Sequence, residues 1–264
     1  MIAGKKNDFF SYLVTISYDG SLFFGWAKQK DKFTAQGYIE SVLSKVFSRK
    51  IAIKTVSRLD KGVHAENQKF LFCLKINLGE EKLFFLLKKT LKMILIKKVL
   101  LVENSFFLNN KVLKEYRYFL NTGKFNLWKV KYRWEYCFPL MIDKLQDLLN
   151  IFVGEHDFFN FCYCKIREQK LKNTRRKIDS IKVNKQGSLI VFIFKGRGFL
   201  RYQIRAIIGE VICCYENKLT LEDLKKKLFC SEGVINKYRY LAPPSGLYLW
   251  KINFVSKNEK KIIP

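Results

Sequence analysis

The sequence is short of the side chains on which metal and redox enzymes are built. It has two histidines, His64 and His156, and neither stands at zinc-ligand spacing from a cysteine pair. Its seven cysteines (Cys73, Cys137, Cys162, Cys164, Cys213, Cys214 and Cys230) are odd in number, form no Cys-x-x-Cys and sit mostly among apolar residues. They read as reduced, buried small hydrophobes, so a disulfide framework is excluded and no metal is expected. A long apolar run is also missing. The most apolar stretch, Leu83 to Val102, is broken by Lys88, Lys89, Lys92, Lys97 and Lys98 and cannot span a bilayer. Lys5 and Lys6 lead into Asn7 and Asp8, which is not a signal-peptide layout. The expectation is a soluble, cytoplasmic protein without a membrane partner.

Acidic residues are scarce too: 23 Asp and Glu against 50 Lys and Arg, a formal charge of +27. Such an excess creates a positive field whose best-matched partner is a polyanion such as nucleic acid. Part of it is compositional, since Lys, Ile, Phe and Asn are all favoured by an AT-rich genome. What is abundant is core material: 48% hydrophobic residues, with 24 Phe and 13 Tyr, in 264 residues. That suffices for two modest domains or one large one.

Phe10 to Tyr18 reads as a strand that ends at the turn Asp19-Gly20. Thr34 to Phe47 reads as a helix, with Thr34 as N-cap and Ile39, Val42, Leu43 and Val46 at three- and four-residue spacing. Strands follow at 50–56 and 69–76, a helix at 80–92 and a strand at 93–102. A second, similar cycle gives strands at 114–122, 177–185 and 188–195, the latter two joined by a hairpin at Gly187. Helices are expected at 142–152, 201–215 and 220–228, with Ile204, Ile207, Ile208, Val211 and Ile212 on one face of the second. A closing strand covers 247–255. Two rounds of strands and helices predict an α+β protein of two related halves, 1–110 and 111–264, although no Pro/Gly-rich linker marks the junction at Asn109-Asn110.

The segment with most chemistry is Ser57-Arg58-Leu59-Asp60-Lys61-Gly62-Val63-His64-Ala65. Arg58 and Lys61 flank Asp60 with positive charge, which favours an ionised carboxylate and could also hold a phosphate. Gly62 permits a positive φ just past the acid, so the segment can turn sharply and present Asp60. On these residues alone, an ordinary Asp-x-Gly turn with solvated charges is the better account of the pattern.

The rest of the chain tips the balance. Tyr18-Asp19-Gly20 with Phe24-Gly25-Trp26, Thr34-Ala35-Gln36-Gly37, the Asp60 segment with Gln68, and Lys114-Glu115-Tyr116-Arg117-Tyr118 occur in that order. Gly154 to Phe158, Thr174-Arg175, Phe199 to Gly209, Ala242-Pro243 and Gly246 to Leu249 follow. In content and order this series resembles the tRNA pseudouridine synthase A family, nearly end to end.

The resemblance implies isomerisation of uridine to pseudouridine at positions 38 to 40 of the tRNA anticodon stem-loop, with no cofactor. It implies Asp60 as the catalytic carboxylate and Arg205 as its arginine partner. Tyr116 would be the plate on which uracil stacks, Tyr118 a second ring on the same strand face, and Leu247 an apolar wall. Arg58 would hold the RNA backbone or fill the space of the flipped base. The implied fold is two ferredoxin-like (RRM-like) α+β lobes, mainly antiparallel, flanking a basic RNA cleft. The implied assembly is a homodimer. His64 and His156 are not expected to act as acids, and Trp26 reads as core.

Leu59, Ala27, Gln203 and Ala206 depart from the family pattern, as do the segments near Phe106-Phe107 and 91–95. A rival reading is therefore a catalytically weak tRNA-binding or folding-assistance protein that keeps the same cleft.

Overall fold

A computed structural model of the chain describes residues 9–106, 110–162, 173–229, 240–256 and 262–263. Cys164, Cys230, Phe107 and Asn109 lie outside these residues. The fold is mixed α+β with mostly antiparallel strands, and divides into two compact units: Met1–Val112 with Lys251–Pro264, and Leu113–Trp250.

In the first unit, β1 (Phe10–Tyr18) is the middle strand, antiparallel to both β3 (His64–Leu74) and β4 (Leu95–Val102). The short β2 (Lys54–Thr55) pairs with β3. The apolar face of β1 is set by Tyr12, Val14 and Ile16, which lie against Phe72, Phe70 and Gln68 of β3 and are completely buried. Helix α1 (Ala35–Val46) starts where Thr34 Oγ1 accepts the Gly37 N–H at 3.2 Å, and buries Ile39 and Leu43. Helix α2 (Glu80–Thr90) packs on β4 through Leu83 and Leu87. Acids at its first turn and Lys88 and Lys89 at its last complement the helix dipole.

The second unit carries β5 (Asn110–Asn121) from Leu113 on, then β9 (Leu189–Gly196), β8 (Arg175–Gln186) and β7 (Gly154–Asp157) in that order, all antiparallel to their neighbours. The two-residue β6 (Trp134–Glu135) pairs parallel to β5. The hairpin between β8 and β9 turns on Gly187, at φ 58°. Helix α3 (Ile142–Asn150) packs on β8 and on α4 (Gln203–Tyr215), which in turn meets α5 (Leu221–Phe229). β10 (Leu247–Ser256) begins in the second unit and ends in the first, where β11 (Ile262–Ile263) pairs with it. No helix among the described residues is long and apolar enough to cross a membrane.

Several elements differ from the sequence reading, and three of them bear on the site. The strand expected at 50–56 is reduced to two residues, because Ile51 and Ile53 are buried outside any ladder. β3 starts five residues early, at His64, immediately after the Asp60 turn. Helix α4 is buried on every side from Gln203 to Cys214 rather than on one face. Its two charged residues, Arg205 and Glu210, are therefore interior. Glu210 meets Lys227 of α5 at 2.6 Å, with both side chains buried.

Candidate active site

The Asp60 loop is held by the first motif of the chain. Gly20 approaches it so closely that a Cβ there would lie 2.0 Å from the Val63 carbonyl oxygen. Gly25, at φ +87°, would place a Cβ 3.0 Å from the Leu59 carbonyl oxygen, and the Trp26 N–H donates to that same oxygen at 2.9 Å. The Tyr-Asp-Gly and Gly-Trp elements are thus two points at which one backbone is pressed against another, and only glycine leaves room. Gly62 takes φ 79° within the loop, and the Val63 N–H closes the turn on the Asp60 carbonyl at 3.2 Å.

Side chains complete the clamp. His64 is buried, and its Nδ1 accepts the Gly20 N–H at 3.1 Å while lying 3.3 Å from Asp19 Oδ1. Gln68, fully buried, donates from Nε2 to the Ser57 carbonyl at 2.8 Å. The result is a rigid loop with Asp60 half-buried, Leu59 tucked in and Arg58 exposed. Lys61 sits over the Phe24 ring, 4.6 Å from its centre. Trp26 has no exposed surface and tilts on Tyr18, so it is core.

The other predicted residues lie in the second unit. Tyr116 and Tyr118 stand opposite Phe194 and Phe192 on β9, so they share one face of β5. Tyr116 meets the edge of Phe199 at 5.2 Å. Tyr118 is fully buried, and its hydroxyl donates to the Pro243 carbonyl at 2.9 Å. Burial holds its phenol well above the usual range, opposed by the charge of Arg205. Gly246 lets the chain pass this ring, since a Cβ there would lie 2.6 Å from Tyr118 Cζ. Leu247, the next residue, is buried at the start of β10.

Arg205, buried in the first turn of α4, donates from Nε to the Ala242 carbonyl at 2.7 Å, and its own carbonyl accepts the Ala242 N–H at 3.0 Å. Gly209, one turn on, brings the helix against the same strand of chain, 2.5 Å separating a Cβ there from the Tyr240 carbonyl oxygen. The guanidinium also faces the ring of Tyr202, which caps the helix at φ 66°. Tyr118, Arg205, Ala242-Pro243 and Gly246-Leu247 thus form one constellation. Asp60 and Arg58 belong to the first unit.

Sequence reasoning named Ser57, His64, Gln68 and Gly246 within motifs but gave them no part in holding the site. Their signal was the motif glycines themselves, which mark close approaches, but the partner of each approach is a distant loop that no local pattern names. His156 plays a packing part: its Nε2 lies 3.1 Å from the Val153 carbonyl and its ring meets Phe158 and Phe229 edge-on.

Residues 148–255 match a family model described as tRNA pseudouridine synthase. The chain is 35% identical over 257 residues to tRNA pseudouridine synthase A of Mesoplasma florum, covering 94% of this chain and all of that protein. It is 35% identical to the protein of that name from Malacoplasma penetrans, over 91% of this chain and 98% of the other. It is 36% identical to that from Mycoplasma genitalium, over 90% and 96%. Matches of that identity along nearly the full length of both partners mean that the chain belongs to the tRNA pseudouridine synthase A family.

Proposed function

We propose that this enzyme isomerises uridine to pseudouridine at positions 38 to 40 of the tRNA anticodon stem-loop, with Asp60 as its catalytic carboxylate. Family membership makes it an isomerase acting on tRNA. The observation that carries the finer reading is the clamp on the Asp60 loop, in which two glycines, a histidine and a glutamine converge to fix one half-buried acid. A surface turn would not need such support.

The reaction breaks the N1–C1′ bond, rotates the uracil and joins C5 to C1′, after which the C5 proton leaves and N1 gains one. Atoms balance and no redox equivalent is consumed. Asp60 acts as nucleophile or as proton acceptor, and an arginine beside it keeps the carboxylate charged and oriented. We assign that arginine as Arg205. Tyr116 provides a ring on which the base can turn, Tyr118 backs it on the same strand face, and Leu247 walls the pocket. Arg58 holds the RNA backbone or replaces the extruded base, since the target must leave its stack to react. In this reading two ferredoxin-like lobes, 1–110 and 111–264, flank a basic cleft, and the enzyme works in the cytoplasm as a homodimer.

The test is pseudouridine mapping on unmodified tRNA transcripts incubated with the wild type and with Asp60→Ala. Signal at 38 to 40 with wild type alone, at equal tRNA affinity, supports the assignment. Wild type that binds tRNA and leaves every uridine unchanged sinks it and favours the binding-protein reading.

A further inference from the structure

The middle of the first unit's sheet holds a group of cations that the proposed chemistry does not use. Lys69 of β3 and Lys98 of β4 both stand directly opposite Thr15 of β1. Residues directly opposite one another share a face, so Lys98, Thr15 and Lys69 form a row across three strands. Two strand spacings separate the lysines, about 10 Å. The neighbouring row on that face is apolar: Leu100, Leu13 and Leu71 in the same register. Lys69 is 5% exposed and leans on the ring of Phe254, 5.7 Å from its centre.

Among the described residues the Lys69 ammonium makes no ion pair and no hydrogen bond, and the charges acting on it are Lys98 and Lys251, both positive. Burial first, and then these two lysines, pull Lys69 down to about 8 from a usual 10.5. Sequestering a cation without an acid is unfavourable, and Leu or Val would fill such a slot without penalty, as in the next row. Thr15 offers a hydroxyl at the centre, and Lys98 and Lys251 are exposed, so an anion from solvent can reach the group.

We infer that Lys69 and Lys98 form a phosphate subsite that takes a phosphodiester of the RNA substrate, with Thr15 donating to the same oxygens. The assignment rests on the tRNA reading above, but it concerns binding and is separable from catalysis. Two lysines that flank the middle strand suit a bridging anion, which relieves the repulsion between them and restores the full charge of Lys69.

The experiment measures the affinity of full-length protein for an unmodified tRNA transcript across a series of KCl concentrations. It compares the wild type, Lys69→Met, the double variant Lys69→Met/Lys98→Gln, and a control with two exposed helix lysines changed, Lys82→Gln/Lys225→Gln. Loss of one phosphate contact makes the slope of log K against log salt shallower by about 0.7 to 0.9, or about five- to tenfold in affinity at 0.1 M salt relative to 1 M. We expect that change in the double variant, part of it in Lys69→Met, and little in the control. Lys69→Met should melt at or above the wild-type temperature, because it relieves a buried charge. That separates lost contact from lost fold.

An unchanged slope in the double variant, or an equal change in the control, overturns the subsite. So does wild type that binds no RNA. Inorganic phosphate that raises the melting temperature of wild type but not of Lys69→Met, with RNA binding unaltered, would mark a free-anion site and also overturn it. If RNA binding responds as expected but no pseudouridine forms, the catalytic reading fails and the subsite stands.

Discussion

At the residue scale, the Asp60 loop depends on atoms that are absent. Gly20 faces the Val63 carbonyl, a backbone group that cannot swing aside as a side chain would, and a methyl placed 2.0 Å from it forces the two segments apart. The same shift strains the Gly20 N–H bond to His64 and the contact that keeps Asp60 in place. Gly20→Ala is therefore expected to cost about 2–3 kcal/mol in urea denaturation, the range of backbone strain combined with lost burial. It should also lower pseudouridine formation by about 100-fold, since a misplacement near 1 Å costs on that order. His64→Gln, which retains an acceptor, should lose much less. Equal turnover in Gly20→Ala and wild type would show that the loop does not need its clamp. Residues of this kind explain what could be read from sequence: glycines in a motif announce a close approach, and Asp60 between Arg58 and Lys61 announces a charged site. Gly20 meets Val63, 43 residues on, and Gly25 meets Leu59, 34 residues on, and only the fold supplies those partners.

At the scale of elements, local pattern was enough wherever periodicity and a stop signal agreed. β1 ends at Tyr18 because a run of β-branched and aromatic residues, nearly all buried, meets the turn at Asp19-Gly20, and α1 begins after Thr34 because the cap is a hydrogen bond within four residues. β7 escaped the reading because Gly-Glu-His-Asp is too short and polar to alternate, and becomes a strand only through pairing with β8. Helix α4 misled in another way. Its apolar side was legible, but the burial of its polar side depends on α5 delivering Lys227 to Glu210. Removing one member strands the other in the interior, so Glu210→Leu should destabilise the protein by about 3–5 kcal/mol. Lys227→Met added to it should recover most of that loss, because an apolar pair of similar volume replaces the ions. Additive losses in this double-mutant cycle would mean that the two charges do not depend on each other. Since Arg205 occupies the first turn of the same helix, the single variant should also lower turnover and the double variant restore it.

At the scale of the whole molecule, the excess of cations makes stability depend on pH in a direction that can be worked out. Lys69 and Lys114 are both pulled down to about 8, by burial and then by positive neighbours: Lys98 and Lys251 for the first, Arg176 for the second. In the unfolded chain both lysines hold their protons to about 10.4. Between these values the unfolded state binds more protons than the folded one, so unfolding free energy rises with pH. Other groups oppose this at higher pH. Burial raises Cys213 to about 11 and also raises Cys214, so above the ordinary thiol range the folded state holds protons that the unfolded state has lost. Tyr136, raised well above the usual phenol range by burial and then by its bond to Glu216, adds to that loss beyond pH 10. Urea midpoints should therefore climb from pH 7.5 to 9 and then level or fall, whereas a protein stabilised by paired carboxylates and histidines would be flat in that range. Lys69→Met should raise the midpoint at pH 7.5 and flatten the climb, since it removes one of the two depressed lysines. A bound polyanion works in the same sense: by restoring the proton affinity of Lys69 it should erase part of the climb in wild type and none in the variant. A pH profile that tRNA changes equally in both proteins would place the RNA away from that row of the sheet.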